Sequence, residues 1–251
     1  AERTAELQAA NRELESFSYS VSHDLRAPLR TIDGFSDALV EDYAGRLDED
    51  ARAYLDRIQG AARRMTEQLN GLLTLSRVTR RELELDSVDL SAIADDVARE
   101  LQEAEPDRRV EWRIMPDVQA RGDAALLHVL LQNLLANAFK FTGDRQPARI
   151  EFGTAEHEGL PCFYVRDSGA GFAMENAGEL FRPFQRLHSQ DEYEGTGIGL
   201  ATVYRIIERH AGRIWAEAAP DEGASFYFTL GEGVQPTASV SGSPADDAGA
   251  A

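Results

Sequence analysis

Phe17-Ser-Tyr-Ser-Val-Ser-His23-Asp-Leu-Arg-Ala-Pro-Leu-Arg30 is the stretch that decides how this chain is read. Its apolar residues belong to a longer series, Leu14, Phe17, Val21, Leu25, Leu29, Ile32, Phe35 and Leu39. Steps of three and four mark one face of an α-helix. At about 100° per residue, His23 lies roughly 200° from both Val21 and Leu25, away from that stripe. A histidine displayed to solvent, with Asp24 beside it, is ordinarily a surface residue without a duty. Here the downstream chain supplies a reaction partner.

Composition narrows the classes. A chain of 251 residues allows one or two domains with a sizeable core. A net charge of −18 argues against nucleic-acid binding. The single cysteine, Cys162, leaves no internal disulfide and fits a reducing compartment. Segment 126–141 is the most apolar, but His128, Gln132, Asn133, Asn137 and Lys140 interrupt it, so no membrane insertion is expected. The chain starts inside a helical pattern without a leading methionine and reads as a fragment of something longer.

Residues 1–15 are helix-prone, with Leu7 and Leu14 one heptad apart. One long helix is expected from Arg3 to about Asp42, kinked at Pro28, which lacks the N–H for the Asp24 carbonyl. After a turn at 44–46, Asp48 caps a second helix ending near Arg80. Two amphipathic helices joined by a short loop form a hairpin, and one hairpin leaves apolar surface uncovered. A homodimeric four-helix bundle is therefore expected.

From Leu83 onward strands and helices alternate. A short strand near 83–90, a helix at 91–103, a strand at 110–115 and an apolar helix at 124–141 are expected. Strands at 148–154 and 162–166 flank the turn at His157, a helix covers 198–210, and strands at 213–218 and 225–230 follow. The fold class is α+β: the helical hairpin, then a sandwich of a mixed sheet with helices on one face. Residues after Gly231 are Gly, Ser, Ala, Pro and Asp-rich, the composition of a disordered tail. Expected divisions are 1–15, 16–82, 83–232 and 233–251.

Four clusters in the second region carry chemistry. Asn133, Asn137 and Lys140 fall at i, i+4 and i+7, a polar edge on an apolar helix. Such groups need partners; phosphate oxygens with Mg²⁺ would supply them, and so would nearby backbone. Lys140 is the only lysine of the chain. Asp167-Ser-Gly-Ala-Gly-Phe172 follows a strand; Gly169 and Gly171 admit a flat ligand, and a carboxylate accepts from an exocyclic amine. Phe181-Arg-Pro-Phe184 opens a polar loop to Glu194, with Phe181, Phe184 and Leu187 expected to anchor it. Gly195-Thr-Gly-Ile-Gly-Leu200 runs into a helix, where backbone N–H groups meet an anion. No Gly-Lys-Ser/Thr follows, and no Gly-x-Gly-x-x-Gly follows a strand, so the usual nucleotide loops are disfavoured.

Taken in order, the five clusters resemble the H, N, G1, F and G2 boxes of sensor histidine kinases, over about Phe17 to Leu230. The form Ser-His-Asp-Leu-Arg-Ala-Pro-Leu is most similar to the phytochrome-like, PAS-linked kind. The resemblance implies a dimerisation and histidine-phosphotransfer hairpin followed by a GHKL-type ATP-binding domain. His23 matches the phospho-acceptor and Asp24 its acidic neighbour. Asn137 matches the Mg²⁺ ligand, with Asn133, Lys140 and Arg186 near the phosphates. Asp167, Gly169 and Gly171 match the adenine site. Gly195, Thr196, Gly197, Gly199 and Leu200 match the phosphate-side loop, and residues 181–194 the mobile lid. ATP and Mg²⁺ are the implied cofactors. A response-regulator receiver and an upstream sensor domain are the implied partners, and the cytoplasm the implied location.

The chemistry of the residues agrees with those roles. Phosphoryl transfer needs an in-line nucleophile and charge neutralisation, and an imidazole held in one tautomer by a carboxylate supplies the nucleophile. Ala27 stands where phosphatase-active relatives carry Thr or Asn, which puts that activity in doubt. Two other readings stay open: a scaffold that binds ATP without transfer, and a GHKL ATPase of the DNA gyrase or MutL kind. The second needs a glutamate where the box here begins with Asn133.

Overall fold

A computed structural model describes residues 24–43, 45–80, 82–143, 145, 147–185, 193 and 195–231. His23, Arg186, the segment before Asp24, most of the expected lid and the expected tail after Gly231 lie outside the described residues.

Helix α1 covers residues 24–43 and runs through Pro28 and Gly34. Helix α2, Glu49–Arg80, begins as expected: Asp48 Oδ1 accepts from Ala51 N at 2.8 Å, and Glu49 and Asp50 face the positive helix end. Two bonds fix the antiparallel register. Arg26 Nη2 donates to Asn70 Oδ1 at 2.9 Å, and Gln59 Nε2 donates to Asp37 Oδ1 at 2.7 Å. Leu29 and Ser36 of α1, and Leu55, Ala62 and Leu73 of α2, are buried. The other described members of the predicted stripe are not: Leu25, Ile32 and Leu39 are exposed, and Phe35 is 71% exposed. Tyr54, Ile58 and Met65 of α2 are exposed as well, so one hairpin covers only part of its own apolar surface.

Beyond the hairpin lies a two-layer unit. Strand β1 (Asp86–Asp89) pairs antiparallel with β3 (Gln119–Gly122) in a two-stranded sheet. Strand β3 was not among the sequence expectations. The main sheet has the order β2-β4-β5-β7-β6, from Val110–Ile114, Ala148–His157, Leu160–Asp167, Gly223–Phe228 and Ile214–Ala219. Only β2 and β4 are parallel. Helices α3 (Leu90–Ala104), α4 (Ala124–Phe141) and α5 (Gly199–Arg209) cover one face. A short 3-10 helix, Met174–Glu179, is a further element the periodicity did not signal.

Helix α4 has the length and hydropathy of a membrane span. It is the central core helix instead: Leu127, Leu130, Leu131, Leu134 and Leu135 are fully buried between the sheet and the flanking helices. Its N-terminus is closed by Asp123, whose Oδ1 accepts from Ala125 N and Leu126 N. Asp123 N in turn donates to Nε2 of the buried His210 at 3.1 Å. At the other end Arg108 donates to Phe139 O and, at 3.0 Å, to Thr142 Oγ1.

Alternation along β5 delivers the decisive carboxylate. Phe163, Val165 and Asp167 share the buried face, while Tyr164 and Arg166 face outward. The last residue of the strand is thus pushed beneath the helix layer.

Candidate nucleotide-binding site

A cavity of about 440 Å³ opens between α4, the end of β5, the 195–198 loop and α5. Its walls join segments far apart in sequence. Asn133, Asn137 and Lys140 come from α4, Asp167 and Gly171 from the β5 end, and Gly195, Thr196, Gly197, Gly199 and Leu200 from the glycine loop. Each was predicted as a binding residue. Gly169 stands just behind the wall, where its N–H donates to Asp167 Oδ1 at 2.8 Å. Asp24 is exposed on α1 and does not line the cavity. His23 and Arg186 lie outside the described residues.

Asp167 is 6% exposed. Burial raises its carboxyl from 3.8 to about 6, against the opposing pull of N–H groups from Gly169 and Ala224. A buried acceptor at the end of a strand, facing an apolar recess of Phe172, Ala224 and Phe226, suits a flat heterocycle that offers an N–H. Gly171 has φ 61 and packs against Ala219 O, so no side chain fits there.

The opposite end is built for charge. Helix α5 starts without a side-chain cap at Ile198, so its first N–H groups are free for an anion. Lys140 Nζ lies 4.2 Å over the Phe141 ring and close to Gly195. A Cβ on Gly199 would fall 2.7 Å from Asn133 Oδ1, so glycine lets α5 meet the polar edge of α4. Asn133 Nδ2 donates to Val129 O at 2.7 Å, the backbone partner that the sequence had left as the alternative. Among the described residues no group of three His, Cys, Asp or Glu side chains is assembled to hold a metal.

Two findings correct or extend the sequence reading. Phe181 packs into the core and against Tyr204, as expected of an anchor, but Phe184 is 55% exposed and does not anchor the loop. Leu187 lies outside the described residues. Phe184 N donates instead to Gly197 O at 3.0 Å, joining this segment to the glycine loop. The wall also includes residues the sequence did not point to: Tyr193, Ala224 and Phe226, and from α2 Gly71 and Thr74. A glycine in the middle of a long helix was the available signal for Gly71, and the pairing of Ala224 with Asp167 explains the strand residues.

Comparison with known proteins agrees with this geometry. Residues 122–233 match the family described as histidine kinase-, DNA gyrase B- and HSP90-like ATPase. Residues 13–81 match the His Kinase A (phospho-acceptor) domain. Phytochrome-like protein Cph1 of Synechocystis is 36% identical over 226 residues, which is 89% of this chain and 30% of the relative. Cyanobacterial phytochrome B of Nostoc is 37% identical over 235 residues, 92% of this chain and 31% of the relative. The chain thus spans about 30% of the length of these relatives. The structure of full-length ShkA in complex with AMPPNP has a TM-score of 0.60 at 23% identity, covering 89% of this chain and 47% of that one. Acinetobacter baumannii AdeS has a TM-score of 0.55 at 21% identity, covering 84% and 98%. Both likenesses speak to the fold. A phospho-acceptor hairpin and an ATPase sandwich, matched in that order along one chain whose relatives include phytochromes and histidine kinases, make this chain a member of the sensor histidine kinases.

Proposed function

We propose that this chain is the kinase core of a two-component system, which phosphorylates His23 from ATP and passes the phosphoryl group to an aspartate of a response regulator. The observation that carries the reading is the cavity in which a buried carboxylate, a lysine, two asparagines and a glycine loop before a helix converge from three segments. Adenine lies at Asp167, Gly169 and Gly171, and the phosphates lie toward Asn133, Lys140 and the loop from Gly195 to Leu200. Arg186 follows Gln185, itself on the cavity wall, and serves the phosphates.

Magnesium fits the phosphate end on chemical grounds. It takes hard oxygen donors and keeps several ligands from phosphate and water, so the carboxamide oxygen of Asn137 is a sufficient protein contribution. When bound, the ion neutralises charge on the phosphate oxygens. The chain's residues do the rest: Asp167 orients the base, Lys140 and the α5 N–H groups hold the phosphates, and Asp24 keeps the His23 imidazole in one tautomer.

The chain divides functionally at 15, 82 and 232: a signalling helix, the phosphotransfer hairpin, the catalytic domain and a tail. The uncovered apolar residues Phe35, Ile32, Tyr54 and Ile58 support a homodimer through a four-helix bundle. A sensor domain precedes the hairpin, and the core works in the cytoplasm, where ATP and receiver domains are found. Ala27, exposed on α1, offers no group to position a water, which favours kinase over phosphatase activity.

Incubation with radiolabelled ATP tests the proposal. Acid-labile, alkali-stable label is expected on the wild type and none on His23→Gln, with ATP affinity nearly unchanged. Label persisting on the variant removes His23 from the reaction; bound ATP without any label favours the scaffold reading.

A further inference from the structure

The adenine end of the cavity is formed by a four-residue loop, Ser168 to Gly171, held between two other segments. On one side Ala170 N donates to Phe141 O at 3.0 Å, at the end of α4. On the other, Ala170 O accepts from Asp221 N at 2.6 Å, in the turn between β6 and β7. Asp221 sits there with φ 65, a conformation an aspartate tolerates better than most residues. A third residue ties all three segments together. Arg145 Nη2 lies 2.8 Å from Asp221 Oδ1, 2.9 Å from Asp221 O and 3.4 Å from Gly169 O.

We infer that Arg145 is a positioning residue for the base of the nucleotide, acting through Gly169 and the Asp221 turn rather than by touching the ligand. The inference rests on adenine lying at Asp167. Gly169 is held on both sides: its N–H donates to the Asp167 carboxylate at 2.8 Å, and its carbonyl accepts from the Arg145 guanidinium at 3.4 Å. Holding Gly169 holds the carboxylate against which the base is read. Arg145 does not line the cavity, and its ion pair with Asp221 is exposed, so it contributes little to overall stability. Its consequence falls on geometry, where small misplacements of a recognition group cost affinity.

The inference has a selective signature. Phosphate contacts lie at the other end of the cavity, so releasing Gly169 loosens discrimination between bases more than it loosens triphosphate binding. Arg145→Met keeps an unbranched apolar stem and removes the guanidinium donors. In the full chain it is expected to weaken ATP roughly fivefold to tenfold, as loss of a supporting contact does, and GTP by less than about twofold. The apparent KM for ATP in self-labelling rises more than the maximal rate falls. Asp221→Gly, which suits φ 65, removes the carboxylate that Arg145 meets while keeping the backbone carbonyl; it moves the ATP:GTP ratio the same way by less, and serves if Arg145→Met does not fold. Asp167→Asn is measured alongside. If Asp167→Asn leaves the ATP:GTP ratio at the wild-type value, the base is not read at Asp167 and the underlying placement fails. If Asp167→Asn collapses the ratio while Arg145→Met and Asp221→Gly keep it, or weaken both nucleotides equally, the Arg145 clamp is overturned.

Discussion

Gly71 of α2 lies directly against Ile198, the residue that precedes α5. A Cβ on Gly71 would stand 3.0, 3.1 and 3.2 Å from three Ile198 side-chain atoms. The hairpin therefore docks on the catalytic unit at a point where both touch the nucleotide cavity, Gly71 and Thr74 on one side and Ile198 on the other. Arg209 of α5 adds a bond to Val78 O further along α2.

Gly71→Ala is the sharp test of that contact. Alanine in a helix interior is favoured over glycine by about 0.8–1 kcal/mol, so α2 itself becomes more stable. The added methyl nonetheless crowds Ile198. Faster hydrogen exchange at the α5 start and a shift in ATP affinity are expected despite the gain in helix propensity, with Ile198→Ala relieving both. Unchanged exchange in Gly71→Ala would show that the two surfaces do not meet in solution.

Asp167 makes stability depend on pH with a sign opposite to that of most carboxylates. Its folded value of about 6 exceeds the ordinary 3.8 because burial disfavours the charge. Between those values the folded protein holds a proton that the unfolded chain has released, so stability falls as pH rises. The full cost, about 3 kcal/mol for roughly two units, is present above pH 6 and absent below about pH 4. Asp167→Asn removes the titration. Its stability relative to wild type should improve by about that amount between pH 4 and 6.5, while ATP affinity falls. Parallel stability curves for the two proteins would refute the buried charge as the cause.

Local pattern made much of this architecture legible in the sequence. Helix α4 was readable to the residue because its leucines leave a polar edge; its Asp123 cap emerged only in the structure. That this edge faces a cavity was equally readable, since three polar residues at helical spacing need partners. Strand β3 was not, because Gln119-Ala-Arg-Gly122 has no β-branched or aromatic residue and exists through pairing with β1. Phe184 misled for a related reason: hydrophobicity alone suggests burial, whereas its bond to Gly197 sets its place. Gly71, Thr74 and Arg145 act across long sequence separations, and no periodicity reports such contacts.

His210 carries the last prediction. It is buried, with Nδ1 2.8 Å from Ile206 O and Nε2 accepting from Asp123 N. The two partners require the neutral tautomer with the proton on Nδ1. Ile206 O also accepts from His210 N, so it keeps a partner when the ring is lost. Asp123 N would lose its His210 acceptor in a position that is 1% exposed. Leaving a buried N–H without an acceptor costs about 1–3 kcal/mol. His210→Leu, close in volume, should therefore lose about that much stability in chemical denaturation. His210→Gln, whose amide oxygen is able to accept, should recover part of it. Asp123 is ten residues from Asn133, about 15 Å along α4, so ATP affinity should change little in either variant. Equal stability of His210→Leu and wild type would mean that this bond does not hold the start of the helix.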